Sequence, residues 1–210
     1  MSKHSFYKTP NVERLAEMGM CFSNGYAPTA TCTGSRVSIQ FGQTSARTQY
    51  RYVFDVYHKK QRPNGYAGQY SLADSVKTAG KNYITAHFGK GMTEKLKMVN
   101  YDVTDEYEKY APNGNLHGEK IDIPTRRELP PDNPKRIYSL IDESMKFLRE
   151  NAGKRPFFMM VSHYSVHVPH AASQKYMDKW KAKYDALEKP TEKEELRLFE
   201  RECNPLYGAM

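Results

Sequence analysis

A continuous apolar run at residues 156–162 (PFFMMVS) is the strongest strand signal in the chain. A strand that is apolar along its whole length, rather than at alternate positions, is typical of the centre of a mostly parallel sheet. A second run of this buried type, at residues 83–88, leads into Gly89 and Lys90. In a chain of 210 residues, these runs predict one α/β domain, or part of a larger one, built on a mostly parallel sheet.

Three stretches have the apolar spacing or the end signals of helices, at residues 9–19, 71–80 and 135–151, and a charged helical stretch at 173–202 is broken near Pro190. The first has Thr9 as its expected N-cap and Pro10 at its first position. Its apolar stripe comprises Val12, Leu15 and Ala16, and that of the third comprises Ile137, Leu140, Ile141, Met145 and Leu148. We also expect a short strand at residues 20–23, a surface loop with one helical piece at 43–70, and an extended loop at 93–134.

Composition restricts the class of protein further. An apolar fraction of 39% is enough for a core, and the excess of Lys and Arg (32) over Asp and Glu (24) is scattered, as on a solvated surface. The cysteines Cys21, Cys32 and Cys203 have neither metal-ligand spacing nor a disulfide pattern. No run reaches the ~18 apolar residues of a membrane span, and the first six residues contain no apolar signal core.

Basic and aromatic side chains are interleaved between residues 51 and 62. Such a mixture can stack on nucleic-acid bases. Because no recognised nucleic-acid module surrounds these residues, we expect no nucleic-acid partner.

The stretch at residues 30–36 (ATCTGSR) places a cysteine in a small polar loop where a helix begins. We expect the Ser35 and Arg36 N–H groups to be unpaired in the first turn and to point towards Cys32. Together with the Arg36 side chain, they would form an anion site that favours a thiolate or a modified cysteine. The alternative is a buried structural cysteine at a helix start.

Two further groups of polar side chains follow the predicted strands. Lys90 comes at the carboxyl end of one strand, where open α/β sheets bind ligands, although a solvated lysine would fit there equally well. His163, His167 and His170 follow the other strand. Of these, His167 and His170 could ligate a metal, act as acid or base, or face solvent.

Taken together, these segments resemble the sulfatase family of the alkaline-phosphatase-like α/β superfamily. The matching landmarks are Thr9-Pro10-Asn11 with its helix, residues 22–28, Cys32 to Arg36, residues 85–90, and residues 156–170. Their order and spacing agree over nearly the whole chain. The resemblance implies one partial sulfatase domain over residues 1–210, with helices on both faces of its sheet and no second domain.

The resemblance also implies a chemistry and a set of site residues. Cys32 would be oxidised to formylglycine, whose hydrate attacks the sulfur of a sulfate ester, and Arg36 would hold the formylglycine. Lys90 would bind sulfate oxygens, and His167 would lie beside the hydrate or the ester. The family also binds a divalent cation, usually calcium, to which Cys32 as formylglycine would contribute. The implied partners are a sulfated small molecule or sulfated glycan and a formylglycine-generating or sulfatase-maturing enzyme.

The chain departs from the family pattern in several places. Gly34 occupies a position that is usually Pro or Ala, and Gly91-Met92 follows Lys90 where Trp-His is usual. The family's Asp-Asp metal pair is expected before Thr9 and its Asp-Asn pair after Met210, so we expect a fragment without its first strand and C-terminal part. Relatives are often exported, which implies a periplasmic or extracellular location, although this chain contains no signal peptide.

The departures leave alternatives to a sulfatase. One is an inactive remnant that keeps the anion pocket, and another is a phosphoester or phosphonate hydrolase of the same superfamily. A cysteine-dependent phosphatase is disfavoured, because its loop needs five residues between Cys and Arg, and here only Thr33, Gly34 and Ser35 intervene.

Overall fold

A computed structural model describes residues 6–50, 70–80, 82–91, 100–105, 133–167 and 170–210. The chain divides into two compact units, each assembled from separate segments. One comprises Met1–Asn24, Pro112–Ile137 and Tyr164–Met210, and the other comprises Gly25–Ala111 and Tyr138–His163. The basic and aromatic stretch at residues 51–62 and most of the predicted loop at 93–134 lie outside the described residues.

The second unit contains a three-stranded parallel sheet. Its strands are β1 (Ile84–Gly89), β2 (Val103–Thr104) and β3 (Phe157–Ser162), in the order β2-β1-β3. β1 pairs with β3 along its whole length, from Ile84 opposite Phe157 to Gly89 opposite Ser162. The predicted α/β class and parallel sheet are therefore confirmed.

The position of β3 corrects one prediction. Among the described strands, β1 is central and fully covered along most of its length, whereas β3 lies at one edge with residues 157–161 only half-buried. A continuous apolar run indicates that both faces of a strand are apolar, but it contains no information on strand order. The shorter run at residues 83–88 is the one that forms the centre of this sheet.

Helices cover both faces of the sheet in this unit. On one face, α5 (Ile137–Asn151) brings Phe147 against Phe88, with ring centroids 6.0 Å apart. On the other, α2 (Cys32–Phe41) places the Gln40 amide nitrogen 3.3 Å from the Met160 sulfur. The side chains of β1 therefore alternate between two helical layers, as expected for a buried parallel strand.

The buried face of α5 differs from the predicted one. It comprises Leu140, Ser144, Phe147 and Asn151, and Ile141 and Met145 are about 40% exposed. The two polar residues can be buried because each donates to a carbonyl of its own helix. Ser144 Oγ donates to Leu140 O at 2.7 Å, and Asn151 Nδ2 donates to Phe147 O at 2.9 Å.

Two further helices complete the described part of this unit, α3 (Ser45–Thr48) and α4 (Leu72–Thr78). α4 begins with a capping box in which the Ser71 hydroxyl accepts from the Asp74 N–H and the Asp74 carboxylate accepts from the Ser71 N–H. The Asp102 carboxylate, just before β2, accepts from both Thr85 N and Thr85 Oγ1. These side chains fix the ends of the elements around β1.

The first unit is helical in its described residues. Besides a 3₁₀ turn at Pro134–Arg136, it contains α1 (Pro10–Met18), α6 (Gln174–Asp185), α7 (Lys193–Glu202) and α8 (Pro205–Ala209). Its core is formed by Phe6, Trp180 and Ala209, and Gly208 packs so closely that an added Cβ would lie 2.5 Å from the Trp180 ring. The break between α6 and α7 agrees with the predicted interruption near Pro190.

The segment that begins this unit confirms one prediction and contradicts another. α1 forms where it is predicted, with Thr9 at the N-cap position and Pro10 as its first residue, but the Thr9 side chain makes no capping hydrogen bond. Val12 and Leu15 of its predicted apolar stripe are exposed. No strand forms at residues 20–23, where Met20 and Phe22 are also exposed. Within the described residues, no helix has both the length and the apolar character required to cross a membrane.

The junction of β1 and β3 generates a prediction about stability. Gly89 has φ +91°, and an added Cβ would lie 2.2 Å from the Ser162 carbonyl oxygen, which belongs to the backbone and cannot rotate away. Gly89→Ala is therefore expected to lower the free energy of unfolding by at least ~3 kcal/mol. The measurement is a urea denaturation curve for the variant and the parent chain.

A matched control separates the steric clash from the backbone strain. Gly153 also has a positive φ, +76°, but a Cβ added there would have no described atom within 4 Å. Gly153→Ala is expected to cost only ~1 kcal/mol. Equal losses in the two variants would contradict the close approach of β1 and β3.

Candidate active site

The candidate site starts at the first turn of α2, and Cys32 is the first residue of the helix. The Ser35 N–H donates to Thr31 O at 3.1 Å, so the prediction that it is unpaired is wrong. Because the helix starts three residues before Ser35, helical geometry leaves the N–H groups of Cys32, Thr33 and Gly34 without an intrahelical partner. The positive end of the helix therefore lies directly at Cys32.

A hydrogen-bond network closes the loop that leads into this turn. Thr29 N donates to Ser35 Oγ at 3.3 Å, and Ser35 Oγ donates to Thr29 O at 3.0 Å. Thr29 Oγ1 in turn donates to Thr31 O at 2.8 Å. The polar side chains of the loop thus bond to the loop itself and hold Cys32 at the start of the helix.

Cys32, Arg36 and Lys90 come together at the carboxyl end of β1. Arg36 Nη1 donates to the Lys90 carbonyl oxygen at 2.8 Å, which fixes the first turns of α2 to the strand end. The Lys90 side chain lies close enough to Cys32 for the cysteine to raise the pKa of Lys90. Cys32 is exposed and Lys90 is 9% exposed, so a solvent-accessible sulfur lies beside a largely buried ammonium group.

The position of Lys90 is determined by both neighbouring strands. Its N–H donates to Ser162 O of β3 at 2.8 Å, and the preceding Gly89 N–H donates to Asp105 Oδ2, after β2, at 3.1 Å. Burial lowers the pKa of Lys90, the Arg36 charge lowers it further, and Cys32 opposes both effects. Lys90 is therefore a better proton donor than an exposed lysine.

His87, which the sequence suggested only as part of a strand, also belongs to this site. It lies on β1 three residues before Lys90, is 1% exposed, and has its Nε2 3.1 Å from Ser162 Oγ. Burial, together with the Arg36 charge, lowers its pKa from 6.5 to about 4, so the imidazole is neutral at pH 7. The sequence signal that could have identified His87 as a site residue is a titratable side chain within a strand of buried type.

The other histidines are placed differently. His163, at the end of β3, is exposed. His167 and His170 belong to the first unit, where the His167 N–H donates to Tyr164 O at 2.9 Å and the His170 ring lies 5.4 Å from that of Tyr207. The predicted place of His167 beside Cys32 therefore stays a prediction.

The described donor set can be compared with the needs of calcium. Within the part of the chain that the structure describes, no group of three or more His, Cys, Asp or Glu side chains could hold a metal ion. Cys32 has as neighbours the Thr33 hydroxyl, 3.9 Å from its sulfur, and the Lys90 ammonium. Calcium takes about six to eight oxygen ligands, so these residues alone do not fit it. Calcium binding stays an expectation from the resemblance.

Comparison with known families decides what this arrangement belongs to. The model of the family described as Sulfatase matches residues 2–204. The chain belongs to the sulfatase family. No curated protein matches the chain significantly. It is a sulfatase-like hydrolase. The structure brings Cys32, Arg36 and Lys90 together, and their roles as site residues stay predictions.

The departure from the family pattern at Gly34 has a steric basis. A Cβ added to Gly34 would lie 2.6 Å from Thr29 Oγ1 and 2.9 Å from the Tyr50 carbonyl oxygen. The loop of this chain is therefore built around glycine at position 34, where the expected family pattern has Pro or Ala.

This crowding predicts coupled effects of two substitutions. Gly34→Ala is expected to lower the free energy of unfolding by ~2 kcal/mol, because the Tyr50 carbonyl cannot move as freely as a side chain. In a Thr29→Ala background the cost is expected to fall by at least ~0.5 kcal/mol, since the closest contact is removed. Urea denaturation of the four chains measures the coupling, and strictly additive losses would contradict the contact.

His87 generates a prediction about pH dependence. The unfolded chain binds a proton at His87 near pH 6.5, but the folded chain does so only near pH 4. As the pH falls through this window, the unfolded state takes up more protons, so His87 removes up to about 3 kcal/mol of stability. Urea denaturation between pH 7 and pH 4 measures this loss.

Two variants identify the residue responsible. His87→Gln, which cannot titrate, is expected to abolish about 3 kcal/mol of the loss in stability between pH 7 and pH 4. His163→Gln, on the exposed histidine just beyond β3, is expected to leave the loss unchanged. A His87→Gln variant with the parental pH dependence would show that His87 is not buried in a neutral form.

Proposed function

We propose that this sulfatase-family chain hydrolyses sulfuric esters, with a sulfated small molecule or sulfated glycan as substrate. The observation that supports this most directly is the meeting of Cys32 with two cationic side chains, Arg36 and Lys90, at the end of β1. A nucleophile position beside two fixed positive charges suits a reaction in which negative charge spreads over several oxygens.

The two cations have different tasks in this proposal. The Arg36 guanidinium stays charged at any working pH and is oriented by its bond to the Lys90 carbonyl, so it provides a fixed positive charge beside the nucleophile. Lys90 places its ammonium group next to Cys32 and binds a sulfate oxygen. Since both are partly or largely buried, their attraction for an oxyanion is screened less than at an open surface.

Proton transfer is assigned to Lys90 and His167. The alcohol leaving a sulfate ester departs as an alkoxide unless an acid protonates it. Burial and Arg36 lower the pKa of Lys90, which makes the bound ammonium a stronger acid in the site. The role of His167 beside the ester rests on the family resemblance.

The proposal includes conversion of Cys32 to formylglycine by a maturing enzyme. When present, this group supplies a hydrated aldehyde as the nucleophile and releases sulfate by re-forming the aldehyde. The exposed position of Cys32 leaves room for a substrate to approach it. Thr29, Thr31 and Ser35 orient the residue through the loop network described above.

Activity measurements on a chain co-produced with a sulfatase-maturing enzyme test the proposal. Hydrolysis of nitrophenyl sulfate is expected to exceed that of nitrophenyl phosphate, and Lys90→Met is expected to lower kcat/KM for the sulfate by a factor of ~100 or more. Lys146→Met, which removes an exposed lysine of α5, is the matched control and is expected to leave the rate unchanged.

Three outcomes would contradict the proposal. Faster hydrolysis of the phosphate would indicate a phosphoester hydrolase of the same superfamily. If Lys90→Met and Lys146→Met changed kcat/KM for the sulfate equally, Lys90 would not be a residue of the active site. Sulfate binding without turnover in a chain that carries formylglycine would indicate an anion-binding remnant.

A further inference from the structure

A buried side-chain pair joins the two strands beneath the candidate site. His87 on β1 and Ser162 on β3 are 1% and 5% exposed, and the His87 Nε2 lies 3.1 Å from the Ser162 hydroxyl. His87 is opposite Met160, and Gly89 is opposite Ser162, so the pair crosses diagonally between neighbouring positions on the face covered by α2. Either neutral tautomer of the imidazole can form this bond with a hydroxyl.

Ser162 also forms a backbone hydrogen bond with Lys90, one of the two cationic residues of the site. The Ser162 carbonyl accepts from Lys90 N at 2.8 Å, and the Lys90 carbonyl accepts from Arg36 Nη1 at 2.8 Å. Three hydrogen bonds, joined through the covalent bonds of Ser162 and of the Lys90 backbone, therefore link the His87 ring to the Arg36 guanidinium in a single series. Both cations of the site are attached to it.

At the carboxyl ends of β1 and β3, the backbone pairing of the two strands ends beside the site. Gly89 has no side chain, and its close approach to Ser162 is made by backbone alone. A hydrogen-bonded pair in the layer just below resists sliding of one strand against the other, because sliding would leave two buried polar groups unpaired. Small displacements matter here, since groups that bind a reacting oxyanion must be placed to within about 0.5 Å.

A role in packing alone explains the buried pair of His87 and Ser162 less well than a role in placing the cations of the site. An apolar side chain at position 87 would fill the same space beside Met160 without the cost of burying an imidazole. The imidazole also lies close enough to Arg36 for the guanidinium charge to disfavour its protonation. A neutral polar group is thus kept beside the cation that orients the site.

We propose that His87 and Ser162 are positioning residues, which hold Arg36 and Lys90 in the arrangement that binds an oxyanion. The inference rests on the proposed function only in that these two cations bind sulfate. It assigns no chemical step to His87.

Sulfate binding by calorimetry, at constant ionic strength, tests this role without requiring turnover. Ser162→Ala and His87→Asn are expected to weaken sulfate binding by about tenfold, because both remove the link between the strands. His87→Gln is expected to bind within about twofold of the parent, since the glutamine amide nitrogen takes the place of Nε2. Asparagine is too short to do so.

Ser144→Ala controls for a general loss of stability. Ser144 is also a buried, hydrogen-bonded serine of the same unit, but it lies on α5 at the opposite face of the sheet. It is expected to lower the free energy of unfolding without changing sulfate affinity. Comparable stability losses in Ser144→Ala and Ser162→Ala, with a loss of affinity only in Ser162→Ala, would support positioning.

Failure of this inference can be distinguished from failure of the proposed function. Unchanged sulfate affinity in folded Ser162→Ala would overturn the positioning role whatever the activity of the chain. The positioning role would also be overturned if the parent chain did not bind sulfate, because Arg36 and Lys90 would then form no oxyanion site. Sulfate binding that shows the expected pattern, in a matured chain without esterase activity, would support positioning and contradict only the hydrolase.

Discussion

The bond from Arg36 Nη1 to the Lys90 carbonyl, 2.8 Å long, is the contact on which the candidate site depends. It connects the start of α2 to the end of β1, two elements 54 residues apart in the chain. Because a guanidinium donates to a backbone carbonyl, the bond fixes the helix to the strand while both residues keep their charges. Cys32 lies one helical turn from Arg36 and is placed by the same contact.

Two neighbouring cations are costly in a largely buried position, and the surrounding structure reduces this cost in recognisable ways. Burial and Arg36 shift the pKa of Lys90 downwards, and His87 stays neutral for the same two reasons. The hydroxyl groups of the loop before α2 form hydrogen bonds within the loop, and these bonds hold Cys32 at the first turn of the helix. An anion bound beside Cys32 would relieve the repulsion between the cations, which is the physical reason for expecting one there.

Sequence reasoning succeeded where local chemistry determines structure. The helices α1 and α4 form within the predicted stretches 9–19 and 71–80, and a buried strand forms at the predicted residues 83–88, shifted by one position. Cys32, Arg36 and Lys90 were predicted as site residues from a family pattern with fixed spacing, and the structure brings them together, although their roles stay predictions.

It failed where the outcome depends on tertiary contacts. The buried face of α5 includes Ser144 and Asn151. A prediction from the spacing of apolar residues places such polar side chains on the exposed face of a helix. The apolar residues at 20–23 form no strand, since strand formation needs a partner edge that composition does not reveal. His87 was missed as a site residue because its importance arises from Ser162, on a strand that is distant in sequence.

The central claim is that Cys32, at the positive end of α2 and beside two cations, is the reactive position of a sulfatase. The most direct measurement is the mass of the tryptic peptide spanning residues 15–36, from chain produced in its native host. This peptide also contains Cys21, which lacks the motif and serves as an internal control. The account predicts a loss of about 18 Da at position 32, as formylglycine requires, with Cys21 unchanged. An intact thiol at Cys32 would contradict it.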